Sequence, residues 1–131
     1  TMVDRGKQVW LLGSSKDRDI AVAVQTASGG ICRNLAGETN LTQAIRLLAA
    51  ASLVVSNDTG LLHVASALNR PVLALYGSTA PGLAPPYSDR AVSVSLNLSC
   101  SPCRERVCPL GHFNCMNQLT PDRVFEAIIS L

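Results

Sequence analysis

Short apolar runs alternate with amphipathic stretches along this chain. Runs typical of buried β-strands lie at 8–13, 31–34, 53–56, 71–76 and 91–95. Apolar residues spaced three or four positions apart indicate helices at 17–27, 40–48 and 59–68. Because strands alternate with helices, the pattern predicts βαβ units and therefore an α/β fold. We expect a Rossmann-like parallel sheet with helices on both of its faces.

Local signals define helix starts and buried faces. Asn40 with Gln43 three residues later has the arrangement of a capping box, and Thr120 followed by Pro121 is typical of the start of a last helix over 120–131. The residues expected to face the core are Ile20, Val24 and Ala27, then Leu41, Ala44, Ile45 and Leu48, and finally Val124, Phe125, Ile128 and Ile129. Cys32, isolated on the second strand, is expected to be a small core residue.

Length and composition limit the number of domains and the class of partner. The 131 residues, 47% of them hydrophobic and 15% charged, can bury one sizeable core but rarely two. We expect one domain over 1–131, which includes a cysteine-rich loop at 98–119 and the last helix. The net charge of +2, without a run of like charges, and the 4% aromatic content do not indicate a nucleic-acid-binding surface.

Hydropathy predicts neither a transmembrane segment nor an export signal. The apolar stretches are shorter than the roughly 18 residues of a spanning helix. The polar segment 2–7, followed by a short apolar run, lacks the pattern of a signal peptide. Five cysteines without an export signal favour a reducing, cytoplasmic compartment.

The segment after the third strand is the candidate binding site. Residues 56–63 read SNDTGLLH and combine a strand end, a helix cap and a helix start. Asp58 is a suitable N-cap, and Gly60 in the first turn leaves the backbone amides open to an anion. His63, four residues after Thr59, shares its helix face and leans toward the helix start. A diphosphate fits this chemistry, although a cap, a packing glycine and a buried histidine would give the same pattern.

A family resemblance rests on this segment. The stretch NDTGLLHVASAL at 57–68 and its continuation RPVLALYG at 70–77 resemble the signature of the ADP-heptose:lipopolysaccharide heptosyltransferases. Segments 34–37 and 41–43 resemble the approach to that signature, and the resemblance extends from Gly13 to the last helix. It implies the C-terminal half of a GT-B glycosyltransferase, in which two Rossmann-like domains face each other and the C-terminal domain binds the nucleotide-sugar donor.

The resemblance also implies roles for individual donor-binding residues. The backbone of Thr59 and Gly60 would hold the diphosphate of ADP-heptose, His63 would donate to it, and Asp58 would face the heptose. An acidic residue near the ribose would fall on Asp17, with Asp19 as the competing choice. The adenine would lie against the backbone near Thr39.

Transfer of the sugar also needs a base for the acceptor hydroxyl. The resemblance places that base on an aspartate of the N-terminal domain, and we expect these 131 residues to correspond to the C-terminal domain alone. We therefore expect no catalytic residue, no metal site and no cofactor here, and a fragment that binds donor without turning it over. The acceptor would be the lipopolysaccharide inner core, which implies a cytoplasmic protein or one in peripheral contact with the inner face of the cytoplasmic membrane.

The cysteines offer an alternative function. Cys100, Cys103, Cys108 and Cys115 have the spacing C-x2-C-x4-C-x6-C, with His112 nearby, so a zinc knuckle on a nucleotide-binding or interaction module without transferase activity is one interpretation. Only the first pair has knuckle spacing, and the segment resembles the cysteine-rich tail of second-type heptosyltransferases. Packed thiols, or disulfides that a cytosolic chain can acquire on oxidation, are therefore favoured over a bound metal. A third hypothesis is another GT-B enzyme, such as an epimerase, or a plain nucleotide-binding module, since the fold alone does not fix the chemistry.

Overall fold

The computed structural model describes residues 1–131, which form two compact units, Thr1–Leu47 and Leu48–Leu131. All five predicted strands and the predicted helices are present. No helix has both the length and the apolar character that crossing a bilayer requires. The expected single domain over 1–131 stays a prediction.

The first unit contains a two-stranded parallel sheet. Strand β1, Trp10–Leu11, pairs with β2, Arg33–Asn34. The connection between them contains a 3-10 turn at Ser15–Asp17 and helix α1 at Arg18–Ala27. The crossover helix between two parallel strands confirms a βαβ unit.

The buried face of α1 differs from the prediction. Ile20 is 69% exposed and Val24 is exposed as well, and so is Ala27, whereas Ala21 is the buried residue of this helix. Because α1 packs against the two-residue strand β2, the small sheet covers only a narrow part of the apolar stripe. The periodicity therefore identified the helix correctly and its buried face wrongly.

Gly37 lies in the turn after β2 and contacts the segment that follows β1. Its backbone amide donates to the Gly13 carbonyl oxygen at 2.9 Å, its φ is 73°, and a Cβ there would lie 2.9 Å from the Ser15 Cα. Any other residue would have to adopt a left-handed conformation and also displace backbone. The glycine is therefore required by both conformation and space.

We expect Gly37→Ala to lower the free energy of unfolding by more than the roughly 1 kcal/mol that an unfavourable left-handed conformation costs. Gly29→Ala is the matched control, because Gly29 has a φ of 72° but a Cβ there would meet nothing within 4 Å. The measurement is chemical denaturation of both variants. Equal destabilisation of the two would show that the contact with Ser15 has no energetic weight.

Helix α2, Leu41–Ala50, begins with the predicted capping box. The Asn40 amide donates to Gln43 Oε1 at 2.9 Å, and the Gln43 amide donates to Asn40 Oδ1 at 2.8 Å. Ala44 and Leu48 are buried as predicted, but Leu41 is 67% exposed. Leu41 is the first helical residue, so it lies at the helix end beyond the buried stripe.

The second unit contains a three-stranded parallel sheet in the order β3, β4, β5. The strands are Val54–Asn57, Val72–Tyr76 and Ala91–Ser95. Strand β4 is central and provides much of the core, because four of its five residues are buried. In a parallel sheet the carboxyl ends of neighbouring strands lie at one edge, so the ends of β3 and β4 are adjacent.

Helix α3, Gly60–Ala67, connects β3 to β4 and packs against both strands. Leu62 and Ala65 have no exposed surface, and the buried Ser66 donates its hydroxyl to the Leu62 carbonyl oxygen at 3.0 Å. Asn69 follows the helix with a φ of 53°, and its amide donates to the Ser66 carbonyl oxygen. Asparagine tolerates this left-handed conformation better than most residues, so it ends the helix and turns the chain into β4.

The last part of the chain contains a short helix, α4, at Asn114–Asn117, which the sequence did not predict, and α5 at Pro121–Ile129. The Thr120 hydroxyl caps α5 by accepting from the Arg123 amide at 3.5 Å. On the predicted face of α5, Val124, Phe125 and Ile128 are half-buried and Ile129 is exposed. The helix packs against the edge strand β5, which covers only part of its apolar face.

Candidate functional site

The candidate site lies where β3 ends and α3 begins. Thr59, in an extended conformation, occupies the N-cap position of α3 and makes no side-chain capping bond. The prediction that Asp58 caps the helix is therefore wrong. Asp58 lies one residue before the N-cap position, and its carboxylate faces His63 instead of the first helical amides.

The start of α3 is open. The first amides of an α-helix have no partner within the helix, and no side chain caps them here. Gly60 is the first helical residue, it is exposed, and a Cβ there would meet nothing within 4 Å. Amide donors and the positive end of the helix dipole are thus accessible to an anion at the edge of the sheet.

Asp58 and His63 face each other beside this helix start. Asp58 Oδ1 lies 3.5 Å from His63 Nε2, and the side chains are 19% and 41% exposed, respectively. The distance suits an ion pair when the imidazole is protonated. The predicted site residues Asp58, Thr59, Gly60 and His63 therefore lie together on one helical turn and its approach.

Two residues that the sequence prediction did not assign also belong to this region. Ser56 Oγ donates to the Asn57 carbonyl oxygen at 2.8 Å and lies 3.4 Å from Thr59 Oγ1, so two hydroxyls lie side by side. Burial and then the negative charge of Asp58 raise the pKa of Tyr76. A tyrosine that ends an otherwise aliphatic strand was the signal available in the sequence.

Tyr76 fixes the loop that follows β4. Its ring is fully buried, and its hydroxyl donates to the Ala84 carbonyl oxygen at 2.7 Å. The raised pKa keeps this hydroxyl protonated over a wider pH range, so it remains a donor. A partly buried hydrogen bond thereby holds the loop after β4 to the end of that strand.

Asp17 and Thr39 lie in the first unit. Asp17 Oδ2 accepts from both the amide and the hydroxyl of Ser14, at 2.8 and 2.9 Å, which gives it a role in capping the 3-10 turn. Asp19 lies in the first turn of α1, and Thr39 directly precedes the α2 capping box. Contacts of these residues with ribose or adenine stay predictions.

The side chains of the cysteine segment are not arranged as a set of metal ligands. Across residues 1–131, no three His, Cys, Asp or Glu side chains are placed so that they could share a metal ion. All five cysteines are free thiols and half-buried, including Cys32, which precedes β2. The zinc-knuckle alternative therefore has no support in the structure.

Comparison with known proteins identifies the family. Residues 1–114 match the model of glycosyltransferase family 9 (heptosyltransferase). The chain is 42% identical to lipopolysaccharide heptosyltransferase 2 of Escherichia coli over 99% of its length, and 38% identical to lipooligosaccharide heptosyltransferase 2 of Haemophilus ducreyi, also over 99%. The chain therefore belongs to glycosyltransferase family 9, as its resemblance predicted.

A solved structure extends the match to the fold. The structure of the ADP-heptose lps heptosyltransferase II of E. coli superimposes with a TM-score of 0.82 and 40% sequence identity over 98% of this chain. The α/β fold class with parallel sheets and helices is confirmed. The chain spans 37% of that structure and 38 to 39% of the two curated relatives.

Proposed function

We propose that this chain is the donor-binding part of a heptosyltransferase that transfers heptose from ADP-heptose to the lipopolysaccharide inner core. The observation that carries the proposal is the open N-terminus of α3 at the carboxyl edge of the sheet, with Asp58 and His63 beside it. Ligands of open α/β sheets bind at this edge. The relatives named as heptosyltransferases supply the donor and acceptor classes.

The proposed binding mode assigns one role to each part of the site. The backbone amides of Thr59 and Gly60 hold the diphosphate, His63 donates to it from the same helix face, and Asp58 faces the heptose. Negative charge grows on the departing ADP during transfer, and fixed amides and an imidazole oppose that charge. The site is therefore organised around the leaving group.

The acceptor side belongs to the remainder of the enzyme in this proposal. The lipopolysaccharide core would bind across the cleft, together with the base that deprotonates its hydroxyl. Because the acceptor is anchored in lipid, we propose that the complete protein works in the cytoplasm, in peripheral contact with the inner face of the cytoplasmic membrane.

A nucleotide panel tests the proposal. We expect ADP to raise the melting temperature of the chain, and UDP and GDP to raise it less, because a ligand stabilises the folded state that binds it. Preference for UDP or GDP would favour another GT-B sugar enzyme. Absence of any nucleotide-dependent shift would contradict donor binding.

His63→Ala is expected to weaken ADP binding by about 1.5 to 3 kcal/mol, or roughly ten- to a hundredfold in Kd, because a hydrogen bond to a charged group is lost. Calorimetric titration measures the change. His112→Ala is the control, since the chain has two histidines and His112 accepts from the Asn114 amide in the cysteine loop. An unchanged Kd in His63→Ala would leave His63 as a packing residue.

A further inference from the structure

The loop between β5 and α5 surrounds a small cavity in the second unit. Its volume is about 30 Å³, which is room for a molecule of about the size of water. Four cysteines line it, Cys100, Cys103, Cys108 and Cys115. The proposed donor site leaves these thiols without a role.

The cysteine loop is fastened to the end of β4. Ser101 Oγ donates to the Gly77 carbonyl oxygen, and the Arg104 amide donates to the Ser78 carbonyl oxygen at 2.8 Å. A Cβ on Gly77 would lie only 3.2 Å from Cys115 Sγ. These contacts hold the cysteine loop against the end of β4, where its four cysteines line one cavity.

Cys108 has the environment of a reactive thiol. Hydrogen bonds from backbone amides, that of Phe113 foremost, lower the pKa of the Cys108 thiol, and partial burial opposes them. The other contributing amides belong to Leu110, His112 and Gly111. A thiolate stabilised by amides is the nucleophilic form of cysteine, and no arrangement of three ligands is present that would engage it with a metal.

We propose that Cys108 is a peroxide-reactive thiol that forms a reversible disulfide with another cysteine of this cavity. The Cys108 thiolate attacks one oxygen of hydrogen peroxide, the O–O bond breaks, and a sulfenic acid and hydroxide form. A neighbouring thiol then attacks the Cys108 sulfur, the S–S bond forms, and the oxygen leaves as water with the thiol proton. The hydroxide takes up the proton that Cys108 released on ionisation, so that in total two thiols are oxidised and one peroxide is reduced to two waters.

Peroxide treatment of the reduced chain, followed by alkylation and mass mapping, tests the proposal. Of the five thiols, we expect two to be lost together, one of them Cys108, and both to return after treatment with dithiothreitol. Trypsin cleaves after Arg104 and Arg106, so a bond from Cys108 to Cys100 or Cys103 links two peptides, whereas a bond to Cys115 closes a ring within one.

Two variants and one assay make the test decisive. In Cys108→Ser, the remaining thiols are expected to stay reduced at the same peroxide dose. Cys32→Ser is the control, because Cys32 lies in the other unit, and this variant is expected to form the disulfide like the unchanged chain. In the unchanged chain Cys108 should also be alkylated before Cys32, which tests the proposal even if Cys108→Ser does not fold. Disulfide formation in Cys108→Ser, equal alkylation rates, or a stoichiometric metal that resists dialysis of the reduced protein would overturn it.

Discussion

The isolated chain should bind ADP and transfer no heptose when it is given ADP-heptose and a heptose-bearing lipid acceptor. Deprotonation of the acceptor hydroxyl needs a base within hydrogen-bond reach of the attacking oxygen. The groups at the start of α3 surround the proposed leaving diphosphate, and the nearby carboxylate of Asp58 faces His63 at 3.5 Å. A missing general base alone reduces the rate by about 10²- to 10⁴-fold, and loss of the acceptor site adds to that effect.

The comparison is between the isolated chain and the same sequence joined to the rest of its enzyme, both assayed for ADP release and for heptosylated acceptor. Binding of ADP by the isolated chain, measured in the same preparation, shows that the donor site is folded. Robust transfer by the 131 residues would mean that the base lies in this chain. Asp58→Asn would then be the first variant to examine.

Gly60→Val should abolish the stabilisation of the chain by ADP. At an ADP concentration of about a hundred times Kd, the unchanged chain would gain about 2.7 kcal/mol, which corresponds to a melting-temperature rise of several degrees. The valine side chain would occupy the space over the helix start, where a Cβ now meets nothing within 4 Å. Valine is a better helix former than glycine, so the fold itself should be retained.

Gly82→Val provides the matched control for this substitution. Gly82 lies in the same unit, has no positive φ, and a Cβ there also meets nothing within 4 Å. Its variant should keep the full ADP-induced shift. If Gly60→Val and the control respond alike to ADP, the diphosphate does not lie at the start of α3.

The sequence predicted the positions of helices and strands better than it predicted which face of a helix is buried. Strong local signals determined the capping box at Asn40 and Gln43 and the start of α5 at Thr120. The buried side of α1 was wrong because burial depends on how much sheet lies beneath the helix, and β2 is only two residues long. Periodicity shows that a helix has an apolar face, but it does not show how much of that face is covered.

The sequence predicted which segment forms the candidate site, but it did not predict how the residues of that segment are arranged. Its residues are neighbours in sequence, so their clustering around α3 followed from the helix alone. The position of the N-cap at Thr59 instead of Asp58 could not be predicted in this way, because it depends on the backbone conformation where β3 ends. The proximity of Tyr76 to Asp58 could not be predicted either, because it depends on the pairing of β3 with β4, which are distant in the sequence.

The most direct test of donor binding is the response of backbone amide resonances to ADP. Titration of the isotope-labelled chain should give its largest shift changes at the Thr59 and Gly60 amides, which are proposed to hold the diphosphate, and at the adjoining Leu61 amide. Saturation with adenosine alone should leave these three amides nearly unchanged. Largest changes elsewhere, with the start of α3 unaffected by ADP, would contradict the account.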